Sequence, residues 1–228
     1  MQRDIATDTA PEFPLRVAAV DIGSNAIRFT AAEFLDASRH VELEHQRVPV
    51  RLGHSAFLTG RLEPDKIAAA VEALASFRRH VDTLGIREHR VVATSAVRES
   101  SNGGELADRV RREAGFRLET ITGSEEARLV WLAVRDRFPL DGPWMLVDLG
   151  GGSLEVSLVT ESGIEWSESH TMGTVRLLDD LGGPDPDPAE LNRLIEEYVG
   201  TLRPSRLDDT GFRGLIATGG NIEALAEL

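Results

Sequence analysis

The sequence predicts an α/β protein built from two similar lobes with a cleft between them. Two segments carry this prediction: "RVAAVDIGSNAIRFTAAEF", which begins at Arg16, and "PWMLVDLGGGSLEVSLVTE", which begins at Pro143. Each contains an apolar strand, an Asp-apolar-Gly step, a turn of small residues and a second strand with alternating polarity. The two aspartates, Asp21 and Asp148, lie 127 positions apart, which indicates an internal duplication.

The elements of the first copy follow in order from the sequence. A third strand is predicted from Val41 to Val50, followed by an amphipathic helix with Pro64 in its first turn. Apolar side chains recur at helical spacing in that helix, at Ile67, Val71, Leu74, Phe77 and Val81. A fourth strand ends near Thr94, and the copy continues with a helix over Glu105–Ala114, a strand over Phe116–Thr122 and a helix over Ser124–Arg137.

The second copy repeats this order as far as the chain extends. A third strand is predicted over Gly163–Ser169, a helix over Pro188–Val199 and a fourth strand in "GLIATGG". The strings "ATSAVRE" and "ATGGNIE" are predicted to occupy matching positions, so that Thr94 corresponds to Thr218. The shared order is βββαβα. Because the sequence stops at Leu228, we expect the second lobe to lack a strand and a helix equivalent to Phe116–Arg137.

Three segments are predicted: a flexible tail (1–14), an N-terminal lobe (15–140) and an incomplete C-terminal lobe (141–228). The tail is polar and proline-containing, and does not have the apolar stretch of a signal peptide. No uncharged apolar run approaches the length of about 18–20 residues that a membrane helix needs. We therefore expect a soluble, cytoplasmic protein without a membrane partner.

Composition limits the possible functions. The formal net charge is −13, which is unfavourable for general nucleic-acid binding because that requires a basic surface. Cysteine is absent, which excludes a disulfide scaffold, thiolate zinc sites and a cysteine nucleophile. A protein this acidic must bind an anion by local means: backbone amides, a few arginines and a metal ion.

Five strings resemble one family in its own order. They are "DIGSNAIRF", "ATSAVRESSN", "TGSEEARLVWLAV", "DLGGGSLEV" and "TMGTVRL", and they extend from Asp21 to Leu177. Paired Asp-x-Gly hairpins resemble those of the actin-like ATPase superfamily, and the strings resemble the exopolyphosphatase / guanosine pentaphosphate phosphatase (Ppx/GppA) family. The chain departs from that family at Ala26, Leu154, Ala133 and "ATGGNIE". The resemblance implies two actin-like (ribonuclease H-like) lobes.

The glycine turns are the predicted phosphate-binding elements. Without Cβ atoms, successive backbone amides can turn inward as a concave nest for phosphate oxygens. Ordinary hairpin turns are the alternative explanation for either copy taken alone. The predicted nest residues are Gly23, Ser24 and Asn25 in one lobe, and Gly150, Gly151, Gly152 and Ser153 in the other.

Asp21 and Asp148 are the predicted metal ligands. Carboxylates beside a phosphate site repel the phosphate unless a cation intervenes, so both residues indicate bound Mg²⁺. An Asx hydrogen bond within each turn is the alternative, and it is compatible with metal binding.

The resemblance assigns the remaining roles. It makes Glu126 the general base for an attacking water, whereas Glu125 is explained by a capping box with Thr122. It makes Glu155 a second catalytic acid that binds metal or water. Further phosphate contacts are expected from Arg98, Gly173, Thr174, Gly219 and Gly220, with Arg28 and Arg176 as weaker candidates.

The function implied is Mg²⁺-dependent hydrolysis of a terminal phosphoanhydride. The substrate is inorganic polyphosphate, guanosine pentaphosphate or both, and a homodimer is a possible assembly. Two alternatives stay open: a kinase of the same superfamily, and a sensor that binds a nucleotide without turnover.

Overall fold

The computed structural model describes residues 11–54, 56–183, 185–202 and 211–220, together with residues 222 and 226. The predicted tail is therefore described only from residue 11, and most of the helix expected after residue 218 lies outside the described residues. The described strands form two sheets, one for each copy of the predicted repeat. Within the described part of the chain, no helix has the length and apolar character needed to cross a membrane.

The first sheet has five described strands in the order β3-β2-β1-β4-β5. Three antiparallel strands come from the hairpin, and two parallel strands follow, because β4 and β5 each return through a helical crossover. The strands are β1 (Leu15–Ile22), β2 (Ile27–Phe34), β3 (His40–Val48), β4 (Glu88–Ala93) and β5 (Leu118–Thr120).

Four helices accompany this sheet: α1 (Ala56–Thr59), α2 (Pro64–Thr83), α3 (Ser95–Arg98) and α4 (Gly103–Arg109), which continues as a π-helical turn over Val110–Ala114. The apolar stripe of α2 packs on one face of the sheet, where Phe77 stacks on Phe29 of β2 at 5.1 Å between ring centroids. The predicted positions Ile67, Val71 and Leu74 are all buried in this core.

The second sheet has four described strands in the order β8-β7-β6-β9, which matches the order β3-β2-β1-β4 of the first. They are β6 (Trp144–Leu149), β7 (Leu154–Thr160), β8 (Gly163–His170) and β9 (Leu215–Thr218). The shared order confirms the predicted two-lobe α/β fold. Two helices lie in the described residues between β8 and β9: α6 (Thr174–Asp180), which was not predicted from the sequence, and α7 (Pro188–Thr201).

Helix α5 (Gly123–Arg137) packs on the second sheet although it follows the first in sequence. Its Trp131 contacts a cluster with Leu146 of β6 and Val159 of β7, and the Trp131 indole donates a hydrogen bond to the Thr160 carbonyl at 2.9 Å. From the sequence, this helix is predicted to belong to the first lobe. The domain boundary at 140/141 stays a prediction, but the contacts of α5 connect the two lobes.

The register between the first and fourth strands differs between the two copies. Asp21 of β1 is level with Val92 of β4, whereas Asp148 of β6 is level with Thr218 of β9. The predicted equivalence of Thr94 and Thr218 is therefore wrong by two residues. Register follows from inter-strand hydrogen bonds and packing, which similar letters at a strand end do not determine.

Candidate active site

A cleft of about 490 Å³ lies where the carboxyl ends of β1 and β6 face each other. Both strands end on an aspartate and an apolar residue before a glycine turn, so the duplication places one acidic turn on each wall. Most of the predicted phosphate-binding residues line this cleft. They are Gly23, Ser24, Asn25, Gly150, Gly151, Ser153, Thr174, Gly219 and Gly220.

The two turns share one backbone pattern. The amide of Gly23 donates to the Ala26 carbonyl at 3.1 Å, and the amide of Gly150 donates to the Ser153 carbonyl at 3.0 Å. These two amides are thereby used within their own turns. Two amides at the centre of each turn donate no backbone hydrogen bond among the described residues, those of residues 24 and 25 and of residues 151 and 152. The predicted nest therefore reduces to the amides of residues 24, 25 and 151, because Gly152 does not line the cleft.

The carbonyls of the second turn bind the start of α6. The amides of Thr174 and Val175 donate to the carbonyls of Gly150 and Gly151 at 3.2 and 2.8 Å. Arg176 Nε donates to the Gly152 carbonyl at 2.6 Å. These bonds use the carbonyl edge of the turn and leave its amide edge for other contacts.

Close packing explains two glycines that do not line the cleft. A Cβ at Gly152 would lie 2.2 Å from Cζ of Phe57 and 2.5 Å from Oγ of Ser95. A Cβ at Gly173 would lie 2.4 Å from the Gly151 carbonyl group. Both positions need glycine because of close approach within the protein, whatever the cleft binds.

Three carboxylates cluster at the cleft: Glu126 and Asp148 line it, and Glu155 is buried next to them. Glu126, Asp148 and Glu155 each offer an oxygen, and these atoms lie within 4.8 Å of one another. Asp148 is the last residue but one of β6 and Glu155 is its cross-strand partner on β7, while Glu126 comes from the first turn of α5. The docking of α5 on the second sheet is what brings Glu126 to the other two.

Glu126 is largely buried and has an unusual ionisation. Burial, with the nearby charge of Glu155, raises the pKa of the Glu126 carboxyl to about 8. Arg98 opposes this shift, since its Nη1 lies 3.3 Å from Oε2 of Glu126. The same nitrogen donates to the Ile121 carbonyl at 3.0 Å, so Arg98 lies behind Glu126 and does not line the cleft.

Glu155 is only 2% exposed, although it alternates with apolar residues along β7. Helix α5 covers its face of β7, which is why both faces of this strand are buried. Ser169 donates to Oε1 at 2.8 Å, while Oε2 is buried without a hydrogen-bond partner among the described residues. Burial raises the pKa of this carboxyl as well, although the Ser169 and Ser153 hydroxyls act against the shift.

Asp21 stands apart from the three clustered carboxylates. It lines the opposite wall, and its nearest cationic partner is Arg28, with Nη1 at 3.9 Å from Oδ2. Its recessed position raises the pKa of the Asp21 carboxyl; Arg28 opposes that shift and the charge of Asp148 adds to it. The two predicted metal ligands thus face each other across the cleft, each in a different environment.

Several cleft residues were not predicted as site residues. Thr94 and Ser95 follow β4 directly, and Ser95 Oγ lies 3.0 Å from Ser24 Oγ of the first turn. Their place at the carboxyl end of a parallel strand is a signal that could have identified them. Thr218 Oγ1 donates to Oδ1 of Asp148 at 2.7 Å. His45 and Arg47 also line the cleft, and they lie on an edge strand whose sequence carries no such signal.

Comparisons with known proteins match this architecture. Residues 36–224 match the model of the Ppx/GppA phosphatase family. Exopolyphosphatase 1 of Mycobacterium leprae is 30% identical over 81% of this chain, which spans 55% of that protein's length. Exopolyphosphatase 2 of Mycobacterium tuberculosis is 34% identical over 93% of the chain and 71% of its own length.

Solved structures agree with the sequence relatives. A Ppx/GppA family member from Aquifex aeolicus superposes with a TM-score of 0.73 at 28% identity, covering 93% of this chain and 68% of the other. An exopolyphosphatase from Cytophaga hutchinsonii gives a TM-score of 0.77 at 27% identity, covering 93% and 69%. The chain spans about half the length of the first curated relatives that it matches. The chain belongs to the Ppx/GppA phosphatase family.

Proposed function

We propose that this chain carries the catalytic cleft of a Mg²⁺-dependent phosphoanhydride hydrolase, which releases the terminal phosphate of inorganic polyphosphate. The exopolyphosphatases among its relatives support the substrate class. Guanosine pentaphosphate is a second substrate in this proposal, because the sequence resemblance implies it beside polyphosphate and the chain matches the Ppx/GppA phosphatase family. A homodimer and a cytoplasmic location stay predictions from the sequence.

One observation carries the proposal: Glu126 lies at the cleft wall beside two further carboxylates, with a pKa of about 8. A general base works best when its pKa lies near the operating pH, since it must both accept and return a proton. Arg98 holds the Glu126 carboxylate from behind, so that its orientation is fixed before substrate arrives.

The donor set fits a hard divalent cation. All the clustered ligand atoms are carboxylate oxygens, which Mg²⁺ prefers, and the buried Oε2 of Glu155 has no hydrogen-bond partner among the described residues. Asp148 and Glu155 would hold the ion, and Asp21 on the opposite wall of the cleft would be a further ligand. When bound, the ion supplies charge neutralisation for the phosphoryl oxygens and for the carboxylates themselves.

The chain's own residues account for the remaining steps. Backbone amides in the middle of each glycine turn and the hydroxyls of Ser24 and Ser95 hold the terminal phosphate between the lobes. Glu126 orients a water molecule opposite the leaving oxygen and accepts its proton as the new P–O bond forms. The leaving chain departs with the electron pair of the broken P–O bond, and the terminal phosphate is released as inorganic phosphate.

A phosphate-release assay without any acceptor tests the proposal. It compares polyphosphate, guanosine pentaphosphate and ATP with Mg²⁺ and with EDTA, and we expect Mg²⁺-dependent release from polyphosphate. Transfer that requires an acceptor would indicate a kinase. Tight binding of guanosine pentaphosphate without release of phosphate from any of the three would indicate a sensor. Either result would contradict the proposed hydrolase.

A further inference from the structure

A row of basic side chains lies along the first lobe's wall of the cleft, away from the clustered acids. Arg28 at the start of β2 is level with Asp21 of β1 on one side and with Arg47 of β3 on the other. Directly opposed residues of antiparallel strands share one face of the sheet. The side chains of Asp21, Arg28 and Arg47 therefore form a line across it. Arg28, Arg47 and His45 all line the cleft.

The face that carries this row is not used by the core. Helix α2 covers the opposite face of the same strands, where Ile27 and Phe29 are fully buried. Arg28 alternates with those residues along β2, and Arg47 is its cross-strand partner on β3, so both lie on the face away from α2. Their location is set by the strand period and does not depend on a flexible loop.

The charges of the row are only partly balanced. Arginines directly opposite each other on adjacent strands repel, which is unfavourable unless an anion lies between or beside them. Arg28 is 3.9 Å from Asp21 with both side chains about 40% exposed, which makes a weak pair. Arg47 forms no salt bridge with any described residue.

The neighbours of the row leave it open toward the cleft. His45 Nδ1 lies 3.1 Å from Thr30 Oγ1, a contact that leaves its Nε2 for another partner. A Cβ at Gly220 would lie 2.7 Å from Nη2 of Arg28, so the guanidinium reaches the loop after β9 on the other lobe. Arg28 therefore marks the boundary between the central cleft and the outer part that Arg47 and His45 line.

We infer that Arg28, Arg47 and His45 form a distal subsite for the second and later phosphates of a linear condensed phosphate. Two strand spacings, roughly 10 Å, separate the backbone of Asp21 from that of Arg47. A single phosphate held between the glycine turns does not reach that far, whereas a chain of linked phosphates does. The inference rests on the proposed function, and it names the part of the protein that favours long chains.

The test compares the variant Arg47→Glu with the control Arg79→Glu in the full chain. Arg79 is exposed on α2, on the other side of the sheet, so its replacement changes the net charge equally without entering the cleft. KM is measured for tripolyphosphate and for long-chain polyphosphate. We expect Arg47→Glu to raise KM for the long chain about tenfold more than KM for tripolyphosphate, as expected for loss of a charge-assisted contact. The control should leave both values unchanged.

Equal effects on the two chain lengths, or none, would overturn the inference. A large effect on guanosine pentaphosphate without one on polyphosphate would assign the row to the nucleotide's second phosphate group, and would also overturn it. Equilibrium binding of long-chain polyphosphate in EDTA separates this inference from the proposed function. Weaker binding by Arg47→Glu supports the subsite even if no phosphate is released, whereas hydrolysis that is insensitive to Arg47 contradicts the subsite alone.

Discussion

Glu125 and Glu126 are neighbours in one helical turn and have opposite environments. The Glu125 carboxylate binds Arg128 and Arg90 at the surface, and these hydrogen bonds lower its pKa to about 2. Thr122 Oγ1 accepts a hydrogen bond from the Glu125 amide at 3.2 Å, which is one half of the predicted capping box. The other half is absent, because the Glu125 side chain binds the two arginines instead. Glu126 projects inward, and burial raises its pKa to about 8. Glu125 therefore forms surface ion pairs at the start of α5, whereas Glu126 lines the cleft.

This contrast predicts different kinetic effects. Glu126→Gln should lower kcat by roughly 10²–10⁴, the usual contribution of a positioned general base. Glu125→Gln should change kcat less than about threefold, because it removes surface contacts alone. Phosphate release from polyphosphate under Mg²⁺ measures both. Equal losses in the two variants would contradict the assignment of the base.

The raised pKa of Glu126 also predicts a pH-dependent cost in stability. In the unfolded chain this carboxyl ionises near pH 4.5, but in the folded, metal-free protein it stays protonated up to about pH 8. Between these values the unfolded state binds fewer protons, so the contribution of this group to stability falls as pH rises.

Glu126→Gln removes this effect, so the metal-free variant should exceed the wild type in stability by about 1–3 kcal/mol at pH 8, where each pKa unit is equivalent to about 1.4 kcal/mol. The difference should shrink toward pH 4.5. Urea unfolding in EDTA at several pH values measures it. A difference that is constant from pH 4.5 to pH 8 would mean that Glu126 ionises normally.

At the scale of elements, the turn between β6 and β7 depends on α6. Gly150, Gly151 and Gly152 present their carbonyls to the first turn of that helix and to Arg176. Gly173 precedes the helix, and its backbone approaches the turn so closely that only hydrogen fits on its Cα. The glycines therefore permit a short helix to pack directly against a loop, which orients the other edge of the loop toward the cleft.

Gly173→Ala tests this packing. The added methyl would lie within 2.5 Å of the backbone at residues 151 and 152, which cannot move aside as a flexible side chain can. We expect a loss of at least about 2 kcal/mol in stability together with weaker phosphate binding. Gly104→Ala on α4 is the control, because its Cβ meets open space. If both variants unfold at the wild-type temperature, the packing argument is wrong.

At the scale of the whole molecule, polar contacts beside the cleft join the two lobes in addition to the packing of α5. Arg176 of α6 pairs with Glu99 and lies over the Phe57 ring at 3.7 Å from its centroid, and both partners belong to the first lobe. His54 Nδ1 lies 3.0 Å from Asp179 Oδ1 across the same boundary. A substrate held by both glycine turns would add to these contacts and stabilise the pair of lobes.

Binding of Mg²⁺ with tripolyphosphate should therefore raise Tm. At concentrations about 100-fold above Kd, the gain of about 2.7 kcal/mol corresponds to roughly 5–10 °C for a chain of this size. Asp148→Asn should require more Mg²⁺ for the same shift, because one ligand charge is lost. Differential scanning fluorimetry over a Mg²⁺ titration measures this. Coincident titration curves for the two proteins would remove Asp148 from the metal site.

The sequence by itself determined the local elements and the chemistry of the two turns. Period-two and helical spacing located the hairpins and α2, and Asp21, Asp148 and the glycine turns followed from adjacent letters. These features are predictable because they depend on neighbours within a few positions along the chain. The recurrence of the hairpin was enough to predict two lobes with facing turns.

Only the tertiary structure decided which residues meet in the cleft. Packing of α5 on the second sheet buries Glu155 and brings Glu126 beside Asp148, and it separates the ionisation of Glu125 from that of Glu126. Tertiary packing also places Arg98 behind Glu126 and Arg47 on the cleft wall. The register of β9 differs by two residues from the one expected for Thr218. These contacts join residues that are distant in sequence, and burial and charge there depend on how whole elements dock, which spacing along the chain does not encode.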